Sequence, residues 1–422
     1  MIAKAENRSP WAYVPTTYFA EGLPYMIVNA LAVIVYKKMG VSNTLIAFWT
    51  SWLYLPWVIK MLWGPLIDMY ATKRSWIIAT QALMTAAIAF AALSLKTPHF
   101  LYVSMICFMG VAFLSATHDI AVDGFYMLSM DDKKQAFFVG IRAFCYRLAM
   151  LFSSGVLVML AGRIESATGN IQNSWTVVLL LAAAVMGLLA VYHKVFLPYP
   201  AVDRPDEAKA GQLSEFGQIF AAYFKMEGVG LGVAFILLYR FGEAMLLKLA
   251  APFLLDKAEA GGMAFTTTQV GVAYGTIGLI CLIIGGLLGG WLISKFGLRR
   301  CIWPLALALN APDLVYVYMS FHTDLPPTFV YGLVAVEQFG YGLGTTAFMF
   351  YMMQLTGERY KTAHFAISTG IMALGMMLPG FISGKLQAVA GYPKFFIIVC
   401  LATLPGMLLI PLLKYKEELK RA

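Results

Sequence analysis

The stretch Gly289-Gly290-Trp291-Leu292-Ile293-Ser294-Lys295-Phe296-Gly297-Leu298-Arg299-Arg300 decides the fold. Paired glycines closing an apolar run let two membrane helices approach tightly, and the turn after them carries Lys295, Arg299 and Arg300 to a membrane surface. A shorter copy, Gly64-Pro65-Leu66-Ile67-Asp68 followed by Lys73-Arg74, stands earlier in the chain. Apolar runs long enough to cross a bilayer, about 20 residues each, number twelve, and the two copies follow the second and the eighth. A device repeated at equivalent places in two groups of six predicts a chain built from two halves.

The twelve runs lie near 11–36, 44–67, 75–95, 99–127, 136–161, 174–197, 228–254, 267–294, 301–321, 326–352, 361–387 and 392–413. The longest polar stretch, 197–227, divides them six and six. The predicted organisation is therefore a six-helix half over 1–197, a cytoplasmic central loop over 198–227 and a second six-helix half over 228–422. The predicted fold class is an all-α membrane protein of twelve transmembrane helices.

Composition requires the same class. Of 422 residues 60% are hydrophobic and 13% charged, and the mean hydropathy is +0.74. A soluble domain carries about 25% charged residues. Too little polar surface remains to cover a water-soluble globule, which excludes a cytosolic enzyme, a disordered tail and a secreted disulfide scaffold. The net charge of +9 reports cytoplasmic loops rather than a nucleic-acid partner. With the N-terminus inside, nineteen of the 31 basic residues fall on inner segments, seven on outer ones and five within spans. Both termini are thus expected in the cytoplasm. The five cysteines show no CxxC spacing and no His-rich segment accompanies them, so neither a metal site nor a disulfide framework is expected. No cofactor is expected either. Met1–Pro10 is polar and does not read as a cleavable signal peptide.

Charges inside spans are informative because each costs about 2.5–3.5 kcal/mol at mid-bilayer unless it meets water or a partner. Glu21 lies in span 1, Lys60 in span 2, Asp119 and Asp123 in span 4, Arg142 and Arg147 in span 5, Arg240, Glu243 and Lys248 in span 7, and Glu337 in span 10. Spans 3, 6 and 12 carry none, and Asp313 is the exception in span 9. Asp119 and Asp123, four apart, share a helix face. Two acids that close suit sharing of a proton, and equally suit an ion-pair network with Lys60 and Arg142 that holds an inner gate shut. Arg240 and Glu243, three apart at mid-depth, favour substrate or coupling work over structural pairing. Arg142 and Arg147 point to different neighbours. His118 reads as a hydrogen-bonded packing residue, and Trp11, Trp76, Trp175 and Trp303 as interface anchors.

The stretch after span 8 resembles the Gly-x-Leu-x-Asp-Arg-x-Gly-Arg signature of the major facilitator superfamily, with Ser294 where the acid is usual. Within that superfamily the chain resembles the AmpG muropeptide permeases and their acetyl-CoA transporter relatives. The matching stretches are Glu21-Gly22-Leu23-Pro24, Lys60-Met61-Leu62-Trp63-Gly64-Pro65-Leu66-Ile67-Asp68, Ala116-Thr117-His118-Asp119-Ile120-Ala121-Val122-Asp123, Tyr146-Arg147-Leu148-Ala149-Met150-Leu151, Leu238-Tyr239-Arg240-Phe241-Gly242-Glu243-Ala244, and Glu337-Gln338 with Gly342–Phe348. It departs from the branch at His118, where Gln is usual, at Arg240 and Glu243, near which the branch carries Lys and Asp, and in lacking two additional spans.

The resemblance implies uptake of N-acetylglucosaminyl-1,6-anhydro-N-acetylmuramic acid, with or without peptide, driven by the proton-motive force for cell-wall recycling. The expected setting is the inner membrane and the expected state a monomer. The expected partners are an anionic glycoconjugate, protons and the lipid bilayer. Asp119, Asp123, Glu243 and Glu21 are the candidate proton-coupling groups. Arg147 and Arg240 suit a lactyl or peptide carboxylate, and Glu337, Gln338, Tyr18, Asn29, Thr345 and Tyr351 are candidates for the sugar. Asp68, Lys60, Arg142 and Arg299 are candidate gate residues. The competing expectations are transport of another anion (an acyl-CoA, an amino-sugar acid or a small peptide), drug efflux, and a receptor that binds without transporting. An enzyme is not expected, since no HExxH or GxSxG motif occurs and the loops are short.

Overall fold

A backbone in hydrocarbon must satisfy its own hydrogen bonds, so an apolar chain of this kind is forced into helices. The computed structural model describes residues 8–64, 67, 70–201, 203–204, 212–355 and 361–415, and no strand occurs among them. Asp68 lies outside the described residues, as do Lys4, Lys209, Arg359, Lys416, Lys420 and Arg421 of the inner basic set. Among the described residues ten helices are long and apolar enough to cross a membrane. The first nine are α1 (Pro10–Lys38), α2 (Asn43–Leu62), α3 (Lys73–Ser94), α4 (Phe100–Ser129), α5 (Gly140–Thr168), α6 (Ile171–Phe196), α7 (Val229–Leu255), α8 (Thr267–Phe296) and α9 (Leu298–Phe321). The tenth, Ala363–Leu412, turns at Gly391 (φ 73°), a left-handed conformation suited to glycine, and so divides into α11 (363–390) and α12 (392–412). With α10 (Pro327–Gln354) the expected twelve spans are present.

Several spans are interrupted near their middles. α1 contains Pro24 and then a π-helical turn, Ile27–Leu31. α5 has a π turn at Phe152–Leu157 and α8 one at Ala273–Gly278. α7 breaks at Arg240, whose backbone (φ −108°, ψ 17°) leaves the helical region. α9 tightens to a 3-10 turn at Ala311–Asp313, because Pro312 has no N–H to offer the carbonyl of Ala308.

The chain forms two compact units, Met1–Val35 with Ile59–Leu213, and Tyr36–Val58 with Ser214–Ala422. In the first, α1 packs on α5, and α3 packs on both α4 and α6. In the second, α10 packs on α8 and α9, α7 on α11 and α12, and the N-terminal part of α2 on α11. The central segment is more than a linker: it contains a helix, Gln212–Phe224, whose buried Tyr223 hydroxyl meets Ser368 Oγ at 2.8 Å. Burial pushes the Tyr223 hydroxyl pKa above its ordinary value.

Large apolar side chains such as Ile106, Leu188 and Val389 are exposed, as suits helices that face hydrocarbon rather than water. The tight helix approach expected at the repeated glycine device holds for one copy only. A Cβ on Gly289 would stand 3.0 Å from the Leu343 carbonyl and 3.3 Å from Thr346 Cβ, whereas one on Gly64 would meet nothing within 4 Å among the described residues. The first copy therefore does not need its glycine for packing. Trp175 is likewise no interface anchor: it is fully buried among the helices of the first unit, while Trp11 and Trp303 are exposed.

Candidate functional site

In the first unit α1, α2, α4 and α5 bring their charges together. Four-residue spacing puts Asp119 and Asp123 on one face of α4, and a different cation meets each. Lys60 Nζ donates to Asp119 Oδ2. Arg142 Nη1 lies 3.1 Å from Asp123 Oδ1 and 3.0 Å from the Tyr18 hydroxyl, which itself donates to Asp123 Oδ1 at 2.7 Å. The Arg142 guanidinium also lies over the rings of Tyr18 (5.3 Å) and Tyr126 (5.0 Å). Glu21 faces both aspartates from α1, and its Oε2 is buried without a hydrogen-bond partner among the described residues. Arg147, five residues beyond Arg142, shows no hydrogen bond or ion pair among the described residues, in keeping with the rotation that separates the two. Asn29, in the π turn of α1, donates to the Tyr25 carbonyl at 3.1 Å and leaves its own buried oxygen unpaired.

Beneath this cluster runs a polar chain that the sequence reading missed. Gln81 of α3 and His193 of α6 are fully buried, as is His118 of α4. Gln81 Oε1 lies 2.9 Å from His193 Nδ1, and Gln81 Nε2 lies 2.9 Å from His118 Nε2. An amide oxygen only accepts and an amide nitrogen only donates, so His193 Nδ1 carries a proton and His118 Nε2 does not. His193 Nε2 continues the chain to Thr16 Oγ1 at 2.9 Å. His118 is thus the packing residue expected of it, with its Nδ1 left over. The available signal was the polar pair Gln81 and His193 in two spans free of charge.

In the second unit the mid-span breaks surround a nest of acids. Glu243 sits in the first turn after the break of α7, Asp313 in the 3-10 turn of α9, and Glu337 in α10. One oxygen from each lies within 4.8 Å of the others. Gln338 Nε2 reaches both Glu337 oxygens (3.1 and 3.0 Å), and the Tyr316 hydroxyl stands 3.5 Å from Oε2. Arg240 acts on Glu243 electrostatically, donates to the Tyr341 hydroxyl and lies 5.0 Å from that ring's centroid. A Cβ on Gly242, between them, would meet the Val399 carbonyl and Thr403 Cγ2 at 2.5 Å, so glycine is required for α7 to lie on α12. Lys248 is buried and hydrogen-bonds Thr50 Oγ1 at 3.1 Å, with its ammonium 4.9 Å from the Tyr54 ring. Thr345 is in α10 with a buried hydroxyl lacking a partner among the described residues. Tyr351 packs instead in the aromatic core with Phe235 (5.0 Å) and Tyr415 (6.4 Å). Arg299 is exposed at the start of α9.

Against solved structures, the chain superposes on a D-xylose–proton symporter with a TM-score of 0.75 at 11% identity, covering 97% of this chain and 98% of that one. The nucleoside transporter NupG gives 0.68 at 16% identity, over 96% and 98%. This is the major facilitator fold.

No family model matches the chain. By sequence the chain is similar to the anhydromuropeptide permease of Escherichia coli (strain K12), 26% identical over 409 residues that make up 96% of this chain and 79% of that protein. It is also similar to the putative transporter AmpG 4 of Rickettsia felis (strain ATCC VR-1525 / URRWXCal2), 24% identical over 94% of each chain. These relatives are permeases and transporters rather than enzymes. The described residues of the stretches quoted for the resemblance lie in or next to the helices that carry the two charge clusters. Asp313 and Tyr274 were not singled out for a role in the second nest. A lone charge in span 9 was the available signal for Asp313, whereas nothing in the sequence distinguishes Tyr274 from the other 21 tyrosines.

Proposed function

We propose that the protein is a proton-coupled secondary transporter importing anhydro-muropeptides, or the GlcNAc–anhydroMurNAc disaccharide, across an inner membrane with both termini in the cytoplasm. The likeness to the anhydromuropeptide permease along 96% of the chain carries the reading. The charge clusters agree with it. Transport of an acidic sugar calls for buried cations able to hold a carboxylate, and Arg147 and Arg240 are assigned that role. Coupling calls for acids that exchange a proton against a cation. Glu21, Asp119, Asp123 and Glu243 are assigned to it, since each lies beside a Lys, an Arg or another acid. Lys60 and Arg142 then serve as gate residues that are released when Asp119 or Asp123 takes a proton. Arg299 and Asp68 belong to the same inner gate, and Gln338, Glu337, Tyr18, Asn29 and Thr345 to sugar recognition. The two halves, 1–197 and 228–422, joined by the central segment, give alternating access.

Uptake of radiolabelled GlcNAc–anhydroMurNAc into proteoliposomes tests the reading. Accumulation is expected with an inward proton gradient and is expected to collapse with an uncoupler. Uptake unchanged by the uncoupler removes the coupling. Binding without accumulation makes the protein a receptor. Preferential competition by a CoA ester or a free amino-sugar acid moves the substrate to another anion.

A further inference from the structure

Three carboxylates meet in the second unit with too few donors to hold them. The nearest oxygens of Glu243, Asp313 and Glu337 lie within 4.8 Å of one another, and the side chains are 0%, 1% and 1% exposed. Neither oxygen of Glu243 nor either oxygen of Asp313 has a hydrogen-bond partner among the described residues. Acids so placed cannot all stay ionised against their mutual repulsion and lost hydration unless positive charge joins them. Arg240 supplies one such charge beside Glu243, against three acids.

A separate observation points to the same spot. The Tyr274 hydroxyl, from the π turn of α8, is sealed from solvent and has no hydrogen-bond partner among the described residues, and its electrostatic neighbours are Glu337, Glu243 and Asp313. The helices that carry Glu243, Asp313 and Tyr274 each lose regular geometry at this level: at Arg240, at Ala311–Asp313 and at Ala273–Gly278. Interrupted helices near mid-membrane are where transporters hold ions, and π turns recur at functional sites.

We propose that Glu243, Asp313, Glu337 and Tyr274 form a coordination site for a hard cation of the size of Na+ or Ca2+. Ca2+ takes oxygen ligands at about 2.3–2.6 Å, so two oxygens on one ion stand up to roughly 5 Å apart. The spread of the three carboxylate oxygens fits that limit. The set is all oxygen, without imidazole, which disfavours Zn2+ and Cu2+. Together with Arg240 a divalent ion neutralises the three acids, whereas Na+ leaves one acid to be matched by a proton. The site shares Glu243 and Glu337 with the proposed coupling and sugar-recognition sets, but its test reads ion binding without solute, so its failure would leave the muropeptide reading standing.

The test uses full-length protein in lipid nanodiscs. Thermal unfolding is followed in NaCl, CaCl2 or N-methyl-D-glucamine chloride at matched ionic strength, with calorimetric titration of the ion that stabilises. A saturable stabilisation by Na+ or by Ca2+ is expected and names the ion. Its affinity is expected to fall at least tenfold in Asp313→Asn and several-fold in Tyr274→Phe, and to be unchanged in the exposed control Asp324→Asn. Tyr274→Phe removes one oxygen and keeps the ring, so it decides the matter should Asp313→Asn fail to fold. No stabilisation by either ion beyond N-methyl-D-glucamine, or an undiminished response in Tyr274→Phe, overturns the site.

Discussion

The carboxylate of Asp203 accepts hydrogen bonds from the backbone N–H groups of Lys73, at 2.8 Å, and Arg74, at 3.1 Å. These are the first two residues of α3, and Thr72 accepts from the third, Ser75. An acidic residue from the central segment thus completes the cap of a span in the first unit, where orphan N–H groups and the helix dipole both favour a negative charge. Asp203→Ala is expected to lower stability by about 1–2 kcal/mol, read as a lower unfolding temperature in nanodiscs. Asp203→Asn is expected to recover part of the loss. No change in either variant would show that Thr72 caps α3 alone.

Variants at Lys60 and Asp119 test the proposed gating role against the proposed coupling role. Lys60→Met leaves a largely buried aspartate without its cation and is expected to cost about 3 kcal/mol or more. The double variant Lys60→Met/Asp119→Leu is expected to regain most of that stability, since an apolar pair replaces an ion pair at little cost. If Asp119 carries the coupled proton, the stable double variant exchanges substrate but no longer concentrates it. Retained accumulation in the double variant would make the pair structural.

The chain His118–Gln81–His193 predicts a purely structural effect. Gln81→Leu strands a nitrogen on each histidine in a buried setting, at about 1–3 kcal/mol per group. An unfolding temperature lowered by several degrees is expected, with the substrate affinity of the folded fraction unchanged. A selective loss of affinity would instead assign the chain to the transport site.

Asp256 ties together the second unit. It accepts from Lys37 Nζ at 2.5 Å, Asn43 Nδ2 at 3.2 Å and the Tyr392 hydroxyl at 2.6 Å, and Asn43 also donates to Gln387 Oε1 at 3.0 Å. Bonds to a partly shielded carboxylate contribute about 1.5–3 kcal/mol each when one partner is removed. Asp256→Ala is expected to cost several kcal/mol and to raise protease sensitivity around 36–43. Lys37→Met, which leaves two donors in place, is expected to cost less.

Much of the fold was legible because its signals are local. Twelve apolar runs and two copies of a glycine-and-charge device need only short windows of sequence, and the structure bears out the spans. Spacing also showed that Asp119 and Asp123 share a face and that Arg142 and Arg147 do not. Other features were hidden. Trp175 looked like an interface residue from its place at the end of a span, but a position along a helix leaves open which way the ring turns. Gly64 and Gly289 read alike in sequence, yet only Gly289 has a helix backbone against it.

By itself the sequence determined that the chain lies in a membrane, crosses it twelve times, repeats, and confines its few internal charges to particular spans. The reason is energetic: each span must exclude polar groups along about 20 residues, which leaves a contiguous and readable record. Only the tertiary structure decided which charges meet. Glu243, Asp313, Glu337 and Tyr274 come from four helices, with Glu243 and Asp313 70 positions apart in sequence. Their convergence depends on helix rotation and on breaks at Arg240, Pro312 and Ala273–Gly278, which follow from packing between helices rather than from the pattern along any one of them.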